Sequence, residues 1–516
     1  MSACRHDLVV IIKGPCLHTI SNLMQGALNT IFKWCRENDL SINPSKTVIV
    51  PFTRKRKLEK LTEPRLNGQI ISFSDEVKYL GVTFDQKLTW NPHLRNITQK
   101  AKMAMWSCCR MAGARWGIRP KIAMWLYTAV VRPIITYASA VWCNKTNQKT
   151  AIDTLNSLQR TACLTATGAF SSTPGAALDA LLDIIPLHLQ VQKEAKQTLS
   201  MPTDDTHTQC HFTKLYTVEI PPRDKWTNDQ MFVEEGSLIW YTDGSKKGND
   251  VGCGIYGERP KFRASVSMGT QASIFQAEVF VINKCAEINL DRNLRHQHIY
   301  INSDSQAALL ALESLESNSK LVQNCKSNLN ALAYSNKVIL RWVPGHSDIN
   351  GNEEADELAR KGADTPLVGP KPFCGTTKRD AYSLLNNIEK TRAIDWWKFV
   401  KGQEHSKALI KGFNSKTAKE LLGLKRHKTC AVTRILTGHC KLNKHMFQIG
   451  KKQDATCRFC QESEETAMHI LCSCGPLMSK RSTYLGRHIL EPYEVQSITA
   501  QRIWNFLDST GISNEL

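Results

Sequence analysis

The residues in this chain best suited to chemistry are four acids and a histidine: Asp243, Glu278, Asp304, Asp356 and His346. The first three acids stand in the strings Tyr241-Thr242-Asp243-Gly244-Ser245, Gln276-Ala277-Glu278 and Ser303-Asp304-Ser305. Asp356 follows Val343-Pro344-Gly345-His346 at a distance of ten residues. Four carboxylates held together repel one another unless a cation offsets their charge. Oxygen-only donors select a hard cation; magnesium prefers such ligands and keeps several of its waters. Manganese accepts the same donor set. Two such ions about 4 Å apart can clamp the attacking water and the leaving 3′-oxygen in phosphodiester hydrolysis. A histidine on a neighbouring loop can move protons near neutral pH. Taken singly, each acid has a plainer reading. Asp243 before a glycine forms turns, Glu278 is a solvated helix residue, and Asp304 before Ser305 caps a helix. Asp356 belongs to the acidic run Glu353 to Glu357. The order and flanks of the four together favour a shared site.

A second constellation lies near the other end. Cys457-x2-Cys460-x8-His469-x4-Cys474 has the spacing of zinc ligands, with Cys472 as an alternative fourth donor. Thiolates and an imidazole can close a tetrahedral structural site in a segment too small to fold alone. Short knuckles of this kind can contact single-stranded nucleic acid. The plainer reading is four unrelated reduced residues in a helical tail.

These residues need elements to place them. Residues 237–242, 251–256 and 262–268 read as three strands, followed by a helix over 272–290. A strand at 298–302, helices at 305–315 and 321–334, a strand at 338–343 and a helix at 352–361 complete the segment. Adjacent strands followed by strand–helix alternation predict an α/β fold, a mixed five-stranded sheet flanked by helices. Ligands of open α/β sheets gather at the carboxyl ends of the strands, where Asp243 and Asp304 are expected. Earlier in the chain, residues 19–37 read as an amphipathic helix that Asn43-Pro44 breaks. Thr47–Phe52 and Glu76–Phe84 read as strands, and residues 92–200 as helical.

The 516 residues suit several domains rather than one core. Lys and Arg number 67 against 47 Asp and Glu, a net charge of +20, which favours a polyanionic partner. The 18 cysteines are scattered through a long chain, which fits reduced thiols rather than a disulfide framework. The apolar stretch Leu8–Ile12 is too short for a signal core, and no run approaches the roughly 20 residues of a membrane span. An intracellular protein, nuclear or cytoplasmic, with no membrane and no small-molecule cofactor, is expected.

On its motifs, the segment 236–365 resembles a type 1 ribonuclease H. The matching strings are Tyr-Thr-Asp-Gly-Ser at 241–245, Ala-Glu at 277–278, Ser-Asp-Ser at 303–305, Gly-His at 345–346 and Ala-Asp-Glu-Leu-Ala at 355–359. The resemblance implies Asp243, Glu278, Asp304 and Asp356 as magnesium ligands and His346 as the proton-handling residue. Asp243 would bridge two ions, Glu278 and Asp304 would hold one, and Asp356 the other. It implies hydrolysis of the RNA strand of RNA–DNA hybrids. No extra basic helix lies between residues 315 and 321, so the domain by itself is expected to grip hybrid weakly.

Residues 1–200 resemble the palm end and thumb of a non-LTR retrotransposon (Jockey/I-like) reverse transcriptase. The similarity rests on Leu-Ser-Ile-Asn-Pro-Ser-Lys-Thr at 40–47, Lys-Tyr-Leu-Gly-Val-Thr-Phe-Asp at 78–85, Leu-Thr-Trp at 88–90 and Tyr-Thr-Ala-Val-Val-Arg-Pro-Ile at 127–134. Such enzymes carry an aromatic-Ala-Asp-Asp turn where this chain has Cys4-Arg5-His6-Asp7, so a working polymerase site is not expected. Residues 201–235 read as a linker, 366–450 as a basic helical connector, and 451–516 as a knuckle-like tail similar to that of the same polyproteins. The basic string Thr53–Lys60 is either an exposed loop or a phosphate contact or nuclear address. The leading expectation is a hybrid-specific ribonuclease; the alternative is a non-catalytic remnant that binds nucleic acid.

Overall fold

A computed structural model describes residues 8–53, 62–113, 116–199, 210–211, 213–227, 232–270, 272–317, 319–369, 373–374 and 378–514. The Cys4–Asp7 turn, most of Thr53–Lys60 and much of the 201–235 stretch lie outside these residues. The chain divides into two compact units. One comprises residues 1–196 and 388–516, the other residues 197–387.

The second unit is built on one six-stranded sheet. Its elements are β1 (Thr217–Glu219), α1 (Arg223–Thr227), β2 (Leu238–Lys247), β3 (Asp250–Arg259), β4 (Phe262–Gly269), α2 (Ile274–Asp291), β5 (His298–Ser303), α3 (Gln306–Glu313), α4 (Lys320–Ala333), β6 (Lys337–Trp342) and α5 (Asn350–Asp364). The strand order is β1-β6-β5-β2-β3-β4. The first four run parallel and the last two pair antiparallel, so the sheet is mixed. Five of these strands were expected. The sixth, β1, arises from the stretch that composition reads as linker; its three residues are too few to show a period.

The hydrophobic pattern explains the packing. Residues 239–243 of β2 are buried on both faces, as parallel strands covered by helices must be. The core joins Trp240 and Ile301 of the sheet to Val281 and Ile282 of α2 and Leu329 of α4. Burying each such side chain contributes roughly 1.5–3 kcal/mol. Helix α2 starts at a capping box: Ser273 Oγ accepts from Gln276 N at 3.2 Å, and Gln276 Oε1 accepts from Ser273 N at 2.9 Å. Helix α5 lies directly on β3. A Cβ on Gly252 would fall 2.0 Å from Ala363 N, and one on Gly254 would fall 2.2 Å from Ala355 O. Two glycines in alternate positions thus let the helix carrying Asp356 approach the sheet.

The first unit is largely helical. Helix Leu17–Glu37 is close to expectation. Glu76–Phe84 is a hairpin rather than one strand: Glu76–Tyr79 pairs antiparallel with Val82–Asp85. Leu80 and Gly81 both have positive φ, 44° and 83°, the geometry of a two-residue hairpin turn. A leucine in that position hides the turn from sequence. Thr47–Phe52 forms only an isolated bridge, Ile49 to Phe73. Residues from both stretches of this unit share one core, in which Leu155 and Ala162 meet Val432 and Ile435. Two buried arginines of helix Arg426–Thr437 bond backbone carbonyls of the earlier stretch. Arg426 donates to Ile118 O at 2.9 Å and Arg434 to Gly168 O at 2.7 Å. Among the described residues no helix is long and apolar enough to cross a membrane.

Candidate active site and metal centres

Asp243 stands in the interior of β2, opposite Gly254 of β3. The sequence suggests a strand end; the strand runs four residues further because its antiparallel partner continues to Asp250. Its parallel partner β5 stops at Ser303, opposite Thr242. Asp243 is therefore the first β2 residue beyond the parallel ladder, and its side chain enters the space where that ladder ends. It is not a turn residue; the hairpin turn lies at Gly248, with φ 62°.

Glu278 lies in the second turn of α2 and is 3% exposed. Its Oε1 accepts from Gly244 N at 3.0 Å and its Oε2 from Ser303 Oγ at 3.4 Å. The carboxylate is thereby tied to both β2 and β5, which rules out a solvated helix residue. Asp304 follows β5 directly, and capping of α3 falls instead to Ser305, whose Oγ accepts from Ala308 N at 3.3 Å. The Asp304 side chain is free of that duty. Its backbone carbonyl accepts from Trp342 Nε1 at 3.0 Å.

One carboxylate oxygen from each of Asp243, Glu278 and Asp304 lies within 4.8 Å of the others. This crowding has an electrostatic cost. Burial first, then Asp304 and Asp356, push the Asp243 carboxyl up to about 7. Burial, Asp243 and Asp304 raise Glu278 well above the usual carboxylate range. Asp304 is raised by burial and by Asp356, and is eased downward by the neighbouring His346. Three acids that resist ionisation together are a ready seat for a hard cation.

Asp356 is brought near this trio, since its charge is felt by Asp243 and Asp304, but it does not join the tight set. Arg360, one helical turn on, donates its Nε–H to Asp356 Oδ1 at 3.0 Å and a second N–H to Oδ2. The sequence reading gave Arg360 no role; its i,i+4 spacing from Asp356 was the available signal. Ser303, inside a quoted motif but without an assigned role, is the hydroxyl that steadies Glu278. His346 sits on the loop after β6 in a left-handed conformation, φ 52°.

In the first unit, Cys457, Cys460, His469 and Cys474 place one ligand atom each within 4.8 Å of the rest. Cys457 Sγ and Cys474 Sγ are 3.9 Å apart, and Cys460 Sγ is 3.3 Å from His469 Nε2. Sulfurs at the corners of a zinc tetrahedron stand about 3.8 Å apart, from a Zn–S bond of about 2.3 Å. Cys472, the alternative donor, is buried outside this set. The surroundings suit ligation. Backbone N–H groups of Glu462 and Ser463 hold the Cys460 thiol below its ordinary range. Burial, then Arg481, lowers the His469 imidazole and so favours its neutral form. His469 Nδ1 contacts Ser473 Oγ at 3.3 Å, which leaves Nε2 facing the thiols. Beside the cluster, buried Glu465 accepts from Arg458 N at 2.9 Å, Arg458 Nε at 2.8 Å and Asn443 N at 3.0 Å, fixing the turn.

Residues 235–364 match the family model described as RNase H. The probable RNA-directed DNA polymerase from transposon BS of Drosophila melanogaster is 32% identical over 143 residues, 26% of this chain and 15% of that protein. The retrovirus-related Pol polyprotein from type-1 retrotransposable element R1 of Nasonia vitripennis is 23% identical over 192 residues, 36% of this chain and 57% of the relative. A second polyprotein of that organism, from element R1 4, is 26% identical over 203 residues, 36% of this chain and 51% of the relative. The chain therefore spans between 15% and 57% of these three relatives' own length. By motif and family match, residues 235–364 are similar to ribonucleases H, within a chain whose relatives are Pol polyproteins and RNA-directed DNA polymerases of mobile elements.

Proposed function

We propose that residues 236–365 hydrolyse the RNA strand of RNA–DNA hybrids. The observation that carries this reading is the convergence of Asp243 from inside β2, Asp304 from the end of β5 and Glu278 from α2, with oxygens within 4.8 Å. Asp243, Glu278, Asp304 and Asp356 would hold two divalent cations, magnesium by preference and manganese as a substitute. Such ions supply a hydroxide-like nucleophile and stabilise the leaving 3′-oxygen.

The chain's own groups do the rest. Gly244 N–H and Ser303 Oγ–H keep Glu278 turned toward Asp243. Trp342 holds the Asp304 backbone. Asp356 serves as the outermost ligand and must loosen its pairing with Arg360 to do so. His346, on the loop beside Asp304, would shuttle a proton or assist product departure. Discrimination of RNA from DNA would rest on the 2′-hydroxyl.

A magnesium-dependent cleavage assay tests the proposal. The purified full chain should cut the labelled RNA of an RNA–DNA hybrid and leave duplex DNA and single-stranded RNA intact. Equal or absent cleavage of all three would sink it. The same preparation should incorporate no nucleotide on a primed template, since His6 stands where a polymerase holds a carboxylate.

For the first unit we propose a structural zinc ion on Cys457, Cys460, His469 and Cys474. The closed four-donor set supports this reading, because such sites leave no position for substrate. Contact with single-stranded nucleic acid through the knuckle is a secondary expectation, in keeping with the basic charge.

A further inference from the structure

We infer that residues 213–227 together with Phe232, ahead of the segment that matches the family model, are a positioning element of the nuclease site, acting through Arg223 and Trp226. This inference rests on the hydrolytic reading of the acidic site, and it extends the functional unit backward into the stretch that composition reads as linker.

The stretch is anchored along its described length. Asn330 Nδ2 donates to Thr213 O at 2.7 Å, and Leu215 N donates to Asn330 Oδ1 at 2.9 Å. Tyr216 is buried, and its hydroxyl donates to Leu312 O at 2.7 Å. Strand β1 then runs parallel to β6, with Thr217, Val218 and Glu219 opposite Ile339, Leu340 and Arg341. Arg341, itself buried, donates Nε–H to Glu219 Oε2 at 2.8 Å and an NH1 hydrogen to Phe232 O at 3.2 Å. Strand β1 and Phe232 beyond α1 are therefore both held to the strand that leads into the His346 loop.

Two contacts reach the site itself. Trp226 Nε1 donates to Trp342 O at 3.1 Å, at the last residue of β6. The indole of Trp342 in turn donates to Asp304 O at 3.0 Å. One relay thus runs from Trp226 through Trp342 to a candidate metal ligand. Trp226 also packs into a small core with Tyr241, Val343, Ala355 and Ile349, directly beneath the loop. Further along, Arg223 donates to Ser347 Oγ at 2.8 Å, and Ser347 Oγ donates to Gly345 O at 3.1 Å. The two residues flanking His346 are joined to each other and to Arg223.

The loop needs such support. His346 and Asp348 both hold positive φ, 52° and 55°, a conformation uncommon for residues with a side chain though readier for Asp and His than for most, and one that surrounding contacts hold in place. Displacement of a reacting group by about 1 Å can cost about 100-fold in rate, so remote anchors can matter to turnover. Arg223 and Trp226 touch neither substrate nor metal here; they are positioning residues.

The test uses the full chain with Arg223→Ala, Arg223→Lys and Trp226→Phe, the last of which keeps the ring and removes the N–H donor. Arg223→Ala should lower kcat on a labelled hybrid about fivefold, the net worth of one ordinary hydrogen bond, with KM and melting temperature unchanged. Arg223→Lys should recover part of the loss, and Trp226→Phe should lower kcat severalfold. Arg223→Ala added to His346→Ala should cost nothing further, because both act through one group. Amide hydrogen exchange over 343–349 should quicken in Arg223→Ala and Trp226→Phe at unchanged global stability. A kcat within twofold of the parent, additive losses with His346→Ala, or unchanged exchange in that loop overturns the inference. A parent chain that cuts no hybrid refutes the hydrolytic reading instead, and the exchange measurement still decides whether the stretch holds the loop.

Discussion

The acidic site and the Cys/His cluster solve the same problem, gathering like donors, in opposite ways. The cluster takes all four donors from one stretch, residues 457–474, folded on a tight turn and a buried Arg458–Glu465 pair. The acidic site draws on two strands and a helix, and Asp356 approaches on a second helix. The cluster is compact, with three thiols and an imidazole whose ligand atoms all lie within 4.8 Å of one another. The acidic trio has Asp356 and His346 near it but outside the tight set. Closed soft sites hold structure, whereas open hard sites leave room for water and substrate. A chain that carries both can be tested by perturbing each separately.

The largest effect should come from Asp243→Asn. Hybrid hydrolysis should fall by about 10³-fold or more, as expected when a central electrostatic ligand is lost. Hybrid binding and the melting of both units should persist, since a buried carboxyl that resists ionisation is replaced by a neutral amide. Cleavage at the parental rate would remove Asp243 from the site.

Next in size is zinc removal. A structural zinc contributes on the order of 10 kcal/mol to the folding of a small segment. Stripping the metal with a soft-ligand chelator, or replacing Cys457 with serine, should expose residues 443–490 to rapid hydrogen exchange. Protection in residues 238–364 should not change. Equal loss of protection in both regions would erase the distinction drawn between them.

A smaller effect concerns pH. Asp243 is raised to about 7 in the folded chain, above the ordinary carboxylate value, so the folded state holds its proton longer than the unfolded state. The stability it lends is therefore present at low pH and is lost as pH rises from about 4 through about 7. Without divalent ions, melting of the nuclease unit should decline from pH 5 to pH 8, and magnesium should abolish the decline. A metal-free midpoint that rises over that range would contradict the crowding of the three acids. The Cys/His cluster should respond the opposite way. Burial pushes the Cys474 thiol up to about 12, so zinc binding displaces protons and weakens as pH falls.

The smallest effect separates Asp356 from its neighbours. Its partner Arg360 is 61% exposed, and exposed pairs contribute little. Arg360→Ala should lower the magnesium concentration for half-maximal cleavage about two- to threefold, leaving kcat nearly unchanged. No change in that midpoint would mean that the pairing does not compete with metal.

Much of the second unit was legible in advance because its signals are local. Alternating and continuous apolar runs specify these elements within a few residues of the observed ends, although the cap of α3, expected at Asp304, falls on Ser305. The hairpin at 76–85 was not legible, because Leu80 occupies a backbone region normally left to glycine or asparagine. Strand β1 was missed because three residues carry no period, and its pairing with β6 joins positions more than 100 residues apart. Residues 251–256 read as a strand, but nothing local in the sequence marks Gly252 and Gly254 as what admits α5 to the sheet.

The sequence by itself determined which side chains are available for chemistry and, for the cysteine cluster, nearly their geometry, since four donors within 18 residues need only one turn to meet. It also determined the secondary structure that carries the acids. Tertiary structure alone decided that Asp243, Glu278 and Asp304 form a tight trio while Asp356 stands apart with Arg360. It alone decided that Arg223 and Trp226 support the His346 loop. The physical reason is range: turns and helix caps are fixed by neighbours in sequence, whereas the meeting of acids across a sheet depends on strand order, register and the close approach of helix to glycine.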